Sequence, residues 1–357
     1  VADGASGDDL PIVFLHSSFR TSSTWLWGKF RADSRRLCFY EPFQERLADC
    51  TLHGCLTVGP DSWQSGHPPG PAYLLEFIPL LRRQGGIEGF DASMSFESFT
   101  PEGGMDGALS PQEAHYLSRL IELARSQGKQ PVLSCTRSLG RAGAMKRGFG
   151  GLHILLWRNL HHQWLSYAHQ QEIGNPYFMH SLCWTLTNPR VVENQGCDPI
   201  LRLLFLYMVS HCGNRTSDWV RPDDCDHAYI AFMVLHLHLT MAGRQTADLV
   251  MEIDRLNRGD EDYRQGLEYR IAEMGGLPLD LNGARQTVQA PGIRLQNPDY
   301  VWEQIELLYS AIIAAAQPDP DTQRFGRGML EQARKSCEGS DTAAAFDLAG
   351  QPLDGAQ

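Results

Sequence analysis

The sequence predicts an α/β fold, with a central parallel sheet, helices on both of its faces, and a helical insertion. Three observations predict it. Short, wholly apolar runs recur along the chain, the mark of strands buried on both faces. Segments with apolar residues at helical spacing separate them, so strand and helix alternate as parallel crossovers require. The 357 residues are 42% hydrophobic and 20% charged, enough apolar material for a large core and no low-complexity tract.

Residues 1–10 read as a flexible N-terminus and 11–317 as one α/β domain. Residues 12–15 are the first strand; a polar loop, 17–23, leads to a helix with Trp25, Leu26 and Phe30 at helical spacing. Residues 51–110 are rich in Gly, Pro and Ser and read as long loops with short helices, 73–83 the clearest. Ser110, Pro111 and Glu113 form the cap, first position and capping-box partner of a helix that Gly128 ends. The second strand, 131–135, a crossover over 137–149, the third strand, 153–157, and a helix, 160–171, follow. The insertion is expected at about 176–243, between the third strand and a fourth at 247–253. A helix ended by Gly275 and Gly276, another at 298–316, and a C-terminal helix with a frayed tail over 318–357 complete the chain. The sheet should hold about four or five strands.

Lys and Arg number 31 against 42 Asp and Glu, a formal charge of −11, with no basic run. That balance argues against a nucleic-acid partner. The longest apolar stretches, 200–209 and 229–241, fall short of the roughly 18 residues of a membrane span and read as buried helices. Nine scattered cysteines form no CxxC pair, and the acidic N-terminal stretch lacks the regions of a signal peptide. Reduced thiols in a cytoplasmic protein are expected. Oligomeric state is left open.

The loop from Ser17 to Thr24 joins a buried strand to a helix N-terminus, which offers unpaired N–H groups and a positive dipole end to an anion. Arg20 adds a charged fork, and Thr21, Ser22, Ser23 and Thr24 add hydroxyl donors. The glycines and lysine of a triphosphatase phosphate loop are missing, which argues against an ATP-dependent kinase.

The segment FRTSSTWL resembles the 5′-phosphosulfate loop of the sulfotransferases that use 3′-phosphoadenosine 5′-phosphosulfate (PAPS). Arg20 takes the basic position, Ser22 stands where the family usually has Gly, and Trp25 takes the adenine-stacking position or is a core tryptophan. RNLHHQWLSY resembles the family's 3′-phosphate motif, with Arg158 at a strand end and Ser166 eight positions later. CFYEPFQERLA resembles the Tyr-Glu-Pro segment of the carbohydrate-like and bacterial members. The resemblance implies a P-loop-like nucleotide-binding core, PAPS as co-substrate, no metal, and a small-molecule or carbohydrate acceptor bearing a hydroxyl or amine.

It also implies Glu41 as the base that takes the acceptor proton, with Arg20 stabilising the departing phosphate. The other reading of Glu41 is a carboxylate salt-bridged to a loop arginine. The Lys-Thr-His histidine of the cytosolic members is absent from SCTRSLGR, where Arg137 either replaces the lysine's charge or ties the crossover to the sheet. His16 reads as a hydrogen-bonded core residue, and His161, His162, His236 and His238 suit helix packing rather than zinc. Trp63, His67, Tyr73 and Phe77 are candidates for the acceptor pocket. A non-catalytic nucleotide-binding protein is the alternative, favoured by Ser22 and the missing histidine.

Overall fold

Five parallel strands form the sheet, in the order β2-β3-β1-β4-β5. The computed structural model describes residues 10–62, 67, 70–194, 196–221, 225–284 and 295–340. The expectations for residues 1–9 and 341–357 lie outside that set. In chain order the elements are β1 (Val13–His16), α1 (Ser23–Arg31), β2 (Arg36–Tyr40), α2 (Leu52–Thr57), α3 (Pro111–Ser126), β3 (Gln130–Cys135), α4 (Ala142–Phe149) and β4 (Leu152–Trp157). Next come α5 (Leu160–Glu172), α6 (Tyr177–Leu186), α7 (Pro189–Val192), α8 (Pro199–Cys212), α9 (Thr216–Trp219) and α10 (Asp226–Thr246). The last are β5 (Leu249–Glu252), α11 (Ile253–Asn257), α12 (Glu261–Gly275), α13 (Pro298–Ala316) and α14 (Pro320–Ser340).

The chain divides into two units, residues 1–157 with 246–284, and residues 158–245 with 285–357. The first holds the whole sheet. Its register pairs Val13 with Val132 and Cys38 with Val132, so Val13, Leu15, Arg36, Cys38 and Tyr40 share one face. Phe14, His16 and His153 share the other. α1 covers the first face: Trp27 packs 4.9 Å from the Tyr40 ring, and Phe30 lies 5.0 Å below the Arg36 guanidinium. α4 covers the second, with Phe149 6.3 Å from Phe14. Helices on both faces are therefore present, as predicted.

β2 is the strand that the apolar pattern conceals. It opens on Arg36, a charge in a position that otherwise demands an apolar side chain. Arg36 is buried because Leu277 and Pro278 carbonyls each accept from Nη2 at 2.9 Å, and Gln130 Oε1 accepts from Nε at 3.2 Å. Ser110 caps α3 in the predicted capping box, and Glu113 Oε1 also accepts from the fully buried Arg141 at 2.6 Å. The predicted helix at 73–83 is shorter, a 3-10 turn at Leu75–Leu80 with Pro79 inside it.

In the second unit α14 lies along α5, with Asn159 Nδ2 donating to Ser336 Oγ at 3.1 Å. An aromatic core of Trp164, Tyr167, Tyr229 and Phe232 joins α5 to α10. The two long apolar stretches are α8 and α10, and among the described residues no helix is long and apolar enough to cross a membrane. The block predicted as an insertion falls within this unit, which begins earlier, at Arg158, and takes in α13 and α14.

Candidate functional site

β1 lies at the point where the sheet's connections diverge. The chain leaves β1 toward β2 on one side, whereas β4 and β5 lie on the other. Ligands of open α/β sheets bind in the crevice outside the strand carboxyl ends at such a point. The loop from Ser17 to Ser22 occupies that position. Arg20 and Ser22 both adopt left-handed backbone, φ 63° and 64°, a conformation that L residues rarely take. They turn the chain twice in three residues. Ser22 is the N-cap of α1 but makes no side-chain cap bond, and no acidic residue lies in the first turn. The first-turn N–H groups thus receive no side-chain acceptor from the cap.

The hydroxyls divide into two sets. Thr21 donates to the Ser18 carbonyl at 2.8 Å, and Thr24 bonds the Tyr40 hydroxyl at 2.9 Å, so both brace the loop. Ser17 Oγ is buried with no hydrogen-bond partner, a group that a bound anion would satisfy. Left-handed Ser22 costs more than Gly would, by the steric clash of its Cβ. Ser22→Gly is expected to raise stability by about 0.5–1 kcal/mol, read as a higher urea midpoint at unchanged slope. A lowered midpoint would show that the Ser22 side chain makes a contact worth keeping.

Glu41 follows β2 with φ 50°, and Pro42 follows it. Its carboxylate is buried against the residues after β3. Oε2 accepts from Thr136 N at 3.1 Å, Thr136 Oγ1 at 2.8 Å and Arg137 Nη1 at 2.9 Å. Oε1 accepts from Thr136 N alone, also at 3.1 Å. Burial pushes the Glu41 carboxyl up, opposed by Arg137 and the Thr136 donors and reinforced by Glu45. Arg137 also reaches Glu45 Oε2 at 3.1 Å, and its guanidinium lies between the Phe19 and Phe96 rings at 4.9 and 5.2 Å. Phe19 precedes Arg20, so Arg137 ties the β1–α1 loop to Glu41. Both of Arg137's sequence readings, charge near the site and tie to the sheet, fit one geometry.

Below these groups, the ends of β1 and β3 are pinned by a histidine chain. The Gly150 carbonyl accepts from His153 Nε2 at 2.9 Å, which leaves His153 Nδ1 to accept from His16 Nε2 at 2.9 Å. His16 Nδ1 then accepts from Ser138, whose one proton is shared between that nitrogen, 2.8 Å away, and the Cys135 carbonyl, 2.9 Å away. Both rings are neutral in this chain, since burial lowers the His16 pKa well below its usual value and that of His153 to about 4. His16 is the hydrogen-bonded core histidine that the sequence predicts.

Trp25 is half-buried, whereas Trp27 is the core tryptophan of α1. The Trp25 indole N–H is shielded and has no partner. Arg158 and Ser166 belong to the second unit: Arg158 is buried, beside the Asn159 cap of α5, and Ser166 lies within that helix. Tyr73 and Phe77 are buried core residues, packed on Tyr40 and Phe39. His67 bonds the Tyr73 hydroxyl at 2.9 Å, and Trp63 lies outside the described residues. In the second unit, His161, His236 and His238 pair with Tyr229, the Phe232 carbonyl and Asp198. Among the described residues no group of three His, Cys, Asp or Glu is placed to hold a metal.

Sequence reading placed Ser17 and Phe19 in the loop without a role for their side chains, and missed Thr136, Ser138 and His153. One signal was available, the hydroxyls flanking Arg137 directly after a strand in SCTRS. Chemically, the first unit combines a helix start without a side-chain cap with a buried carboxylate, Glu41, whose Oε1 accepts from Thr136 N. Compared with family models, curated proteins and solved structures, the chain matches none.

Proposed function

We propose that the chain binds PAPS in a P-loop-like core and transfers its sulfuryl group to a hydroxyl or amine of a small molecule or carbohydrate. The β1–α1 loop carries this reading: two left-handed residues, a helix start without a side-chain cap and a buried unpartnered hydroxyl meet where the connections diverge. Arg20 and the first-turn N–H groups of α1 would stabilise the 5′-phosphate as the bridging oxygen gains charge. Glu41 Oε1 would take the acceptor proton as the new O–S bond forms and the bridging S–O bond breaks. Arg158 and Ser166 would hold the 3′-phosphate, which distinguishes PAPS from ATP. The transfer requires no metal, because a sulfuryl group carries less negative charge than a phosphoryl group.

One observation favours a non-catalytic nucleotide-binding protein instead: Oε2 of Glu41 already accepts three hydrogen bonds. Incubation with PAPS and a panel of hydroxylated and amino acceptors separates the two readings. Acceptor-dependent release of 3′-phosphoadenosine 5′-phosphate is expected. Tight nucleotide binding with release at the enzyme-free rate would select the non-catalytic reading.

A further inference from the structure

α2 begins with a pair of thiols that its own capping geometry brings together. Thr51 is the N-cap, its hydroxyl accepting from Gly54 N at 3.1 Å, and Cys55 N donates to the Thr51 carbonyl at 2.9 Å. Cys50 is then the residue before the cap and Cys55 the fourth of the helix. Side chains at these two positions pack together as a hydrophobic staple. Here both are cysteine, and their sulfurs lie 3.3 Å apart. The Cys50 carbonyl is held in turn by the Gly86 N–H at 2.7 Å. Thr51, Leu52 and His53 beside the pair are exposed, and Cys50 is the thiol of the two that keeps some surface, 7% against 0% for Cys55.

We propose that Cys50 and Cys55 are a redox-sensitive modification site that closes to an intramolecular disulfide on exposure to a peroxide. Cys50, the less buried thiol, attacks the peroxide, its sulfur is oxidised to the sulfenic acid and one water leaves. The Cys55 thiol displaces the hydroxyl of that group, the S–S bond forms and a second water leaves. Two thiols lose two electrons in all, and the peroxide is reduced. The order follows from burial, which pushes the Cys55 thiol up to about 12 and keeps it protonated until the sulfenic acid is beside it. A covalent S–S bond measures about 2.05 Å, so rotation of two side chains already in contact closes the gap. The closed pair would fix the first turn of α2 just beyond the turn Glu45–Ala48, whose Glu45 shares Arg137 with Glu41.

The full chain treated with hydrogen peroxide, then alkylated in denaturant and digested with trypsin, tests this. Residues 47–82 form one tryptic peptide, and Cys50 and Cys55 are its only cysteines. The expected product is that peptide with neither cysteine alkylated and two hydrogens lost, returning to two alkylated cysteines after reduction. Cys55→Ser should instead trap Cys50 as a sulfenic acid that dimedone labels. Recovery of the peptide with both cysteines alkylated, or with Cys50 over-oxidised and Cys55 still free, would overturn the proposal.

Discussion

Glu41→Gln is expected to lower turnover with PAPS by about 10²–10⁴-fold, the range that a positioned acid–base group supplies, while nucleotide binding survives. The variant keeps the shape of the side chain but removes the charge that faces Arg137 and the lone pair proposed to take the proton. It also has a structural cost. Arg137 is buried, and removing one partner of a buried ion pair costs about 3–5 kcal/mol. Glu45 still reaches the same guanidinium, so the loss should fall at the lower end of that range. Turnover must therefore be measured where urea titration shows the variant folded. Arg137→Lys supplies the control, because it keeps a positive charge while losing the two-carboxylate fork. If Glu41→Gln is fully active, Glu41 has no part in the chemistry and serves only to anchor Arg137.

Stability should fall steeply as pH drops below about 6.5. Burial keeps five histidines neutral in the fold: the pKa of His16 is well below the usual 6.5, those of His67, His153 and His236 are lowered to about 4, and that of His161 to about 3. In the unfolded chain all five titrate near 6.5. Between that value and about pH 4 the unfolded state binds more protons than the native state, so stability rises with pH across the window and is complete above it. Each histidine contributes up to about 1.4 kcal/mol per pH unit. At pH 5 the loss should amount to several kcal/mol, a sizeable share of the roughly 5–15 kcal/mol of a whole domain. Urea midpoints at pH 7.5, 6.5, 5.5 and 5.0 read this directly. A flat series would mean that these histidines bind protons in the fold, and the neutral His16–His153 chain would be wrong.

The parts legible in the sequence were those set by neighbours a few positions apart. The apolar run that became β1, the Ser110–Glu113 capping box and the Gly276 stop at φ 74° each follow from local chemistry. β2 was not legible, because its first residue is an arginine whose partners, Leu277 and Pro278, lie 241 and 242 positions away. The site divides in the same way. Arg20 and the helix start can be read from one segment, and the resemblance that puts Ser22 in a Gly position agrees with its positive φ. The bracing of Glu41 by Thr136 and Arg137 joins residues 95 and 96 positions apart, and the His16–Ser138 bond spans 122. No periodicity encodes such pairs. The hydroxyls of Thr21 and Thr24 suit an anion contact by type, but Thr21 donates to the Ser18 carbonyl within its own loop and Thr24 bonds the Tyr40 hydroxyl of β2.

The central claim, a nucleotide site that reads a 3′-phosphate, is tested most directly by thermal stabilisation with 3′-phosphoadenosine 5′-phosphate. ADP and ATP with magnesium serve as comparisons, and Arg158→Ala as the variant. At 100 times its dissociation constant a ligand adds about 2.7 kcal/mol to stability. The account predicts that gain for 3′-phosphoadenosine 5′-phosphate, a smaller one for ADP, and loss of the difference in Arg158→Ala. Stabilisation by ATP with magnesium alone would point to phosphoryl transfer, and no stabilisation by any of the three would contradict a nucleotide site on this chain.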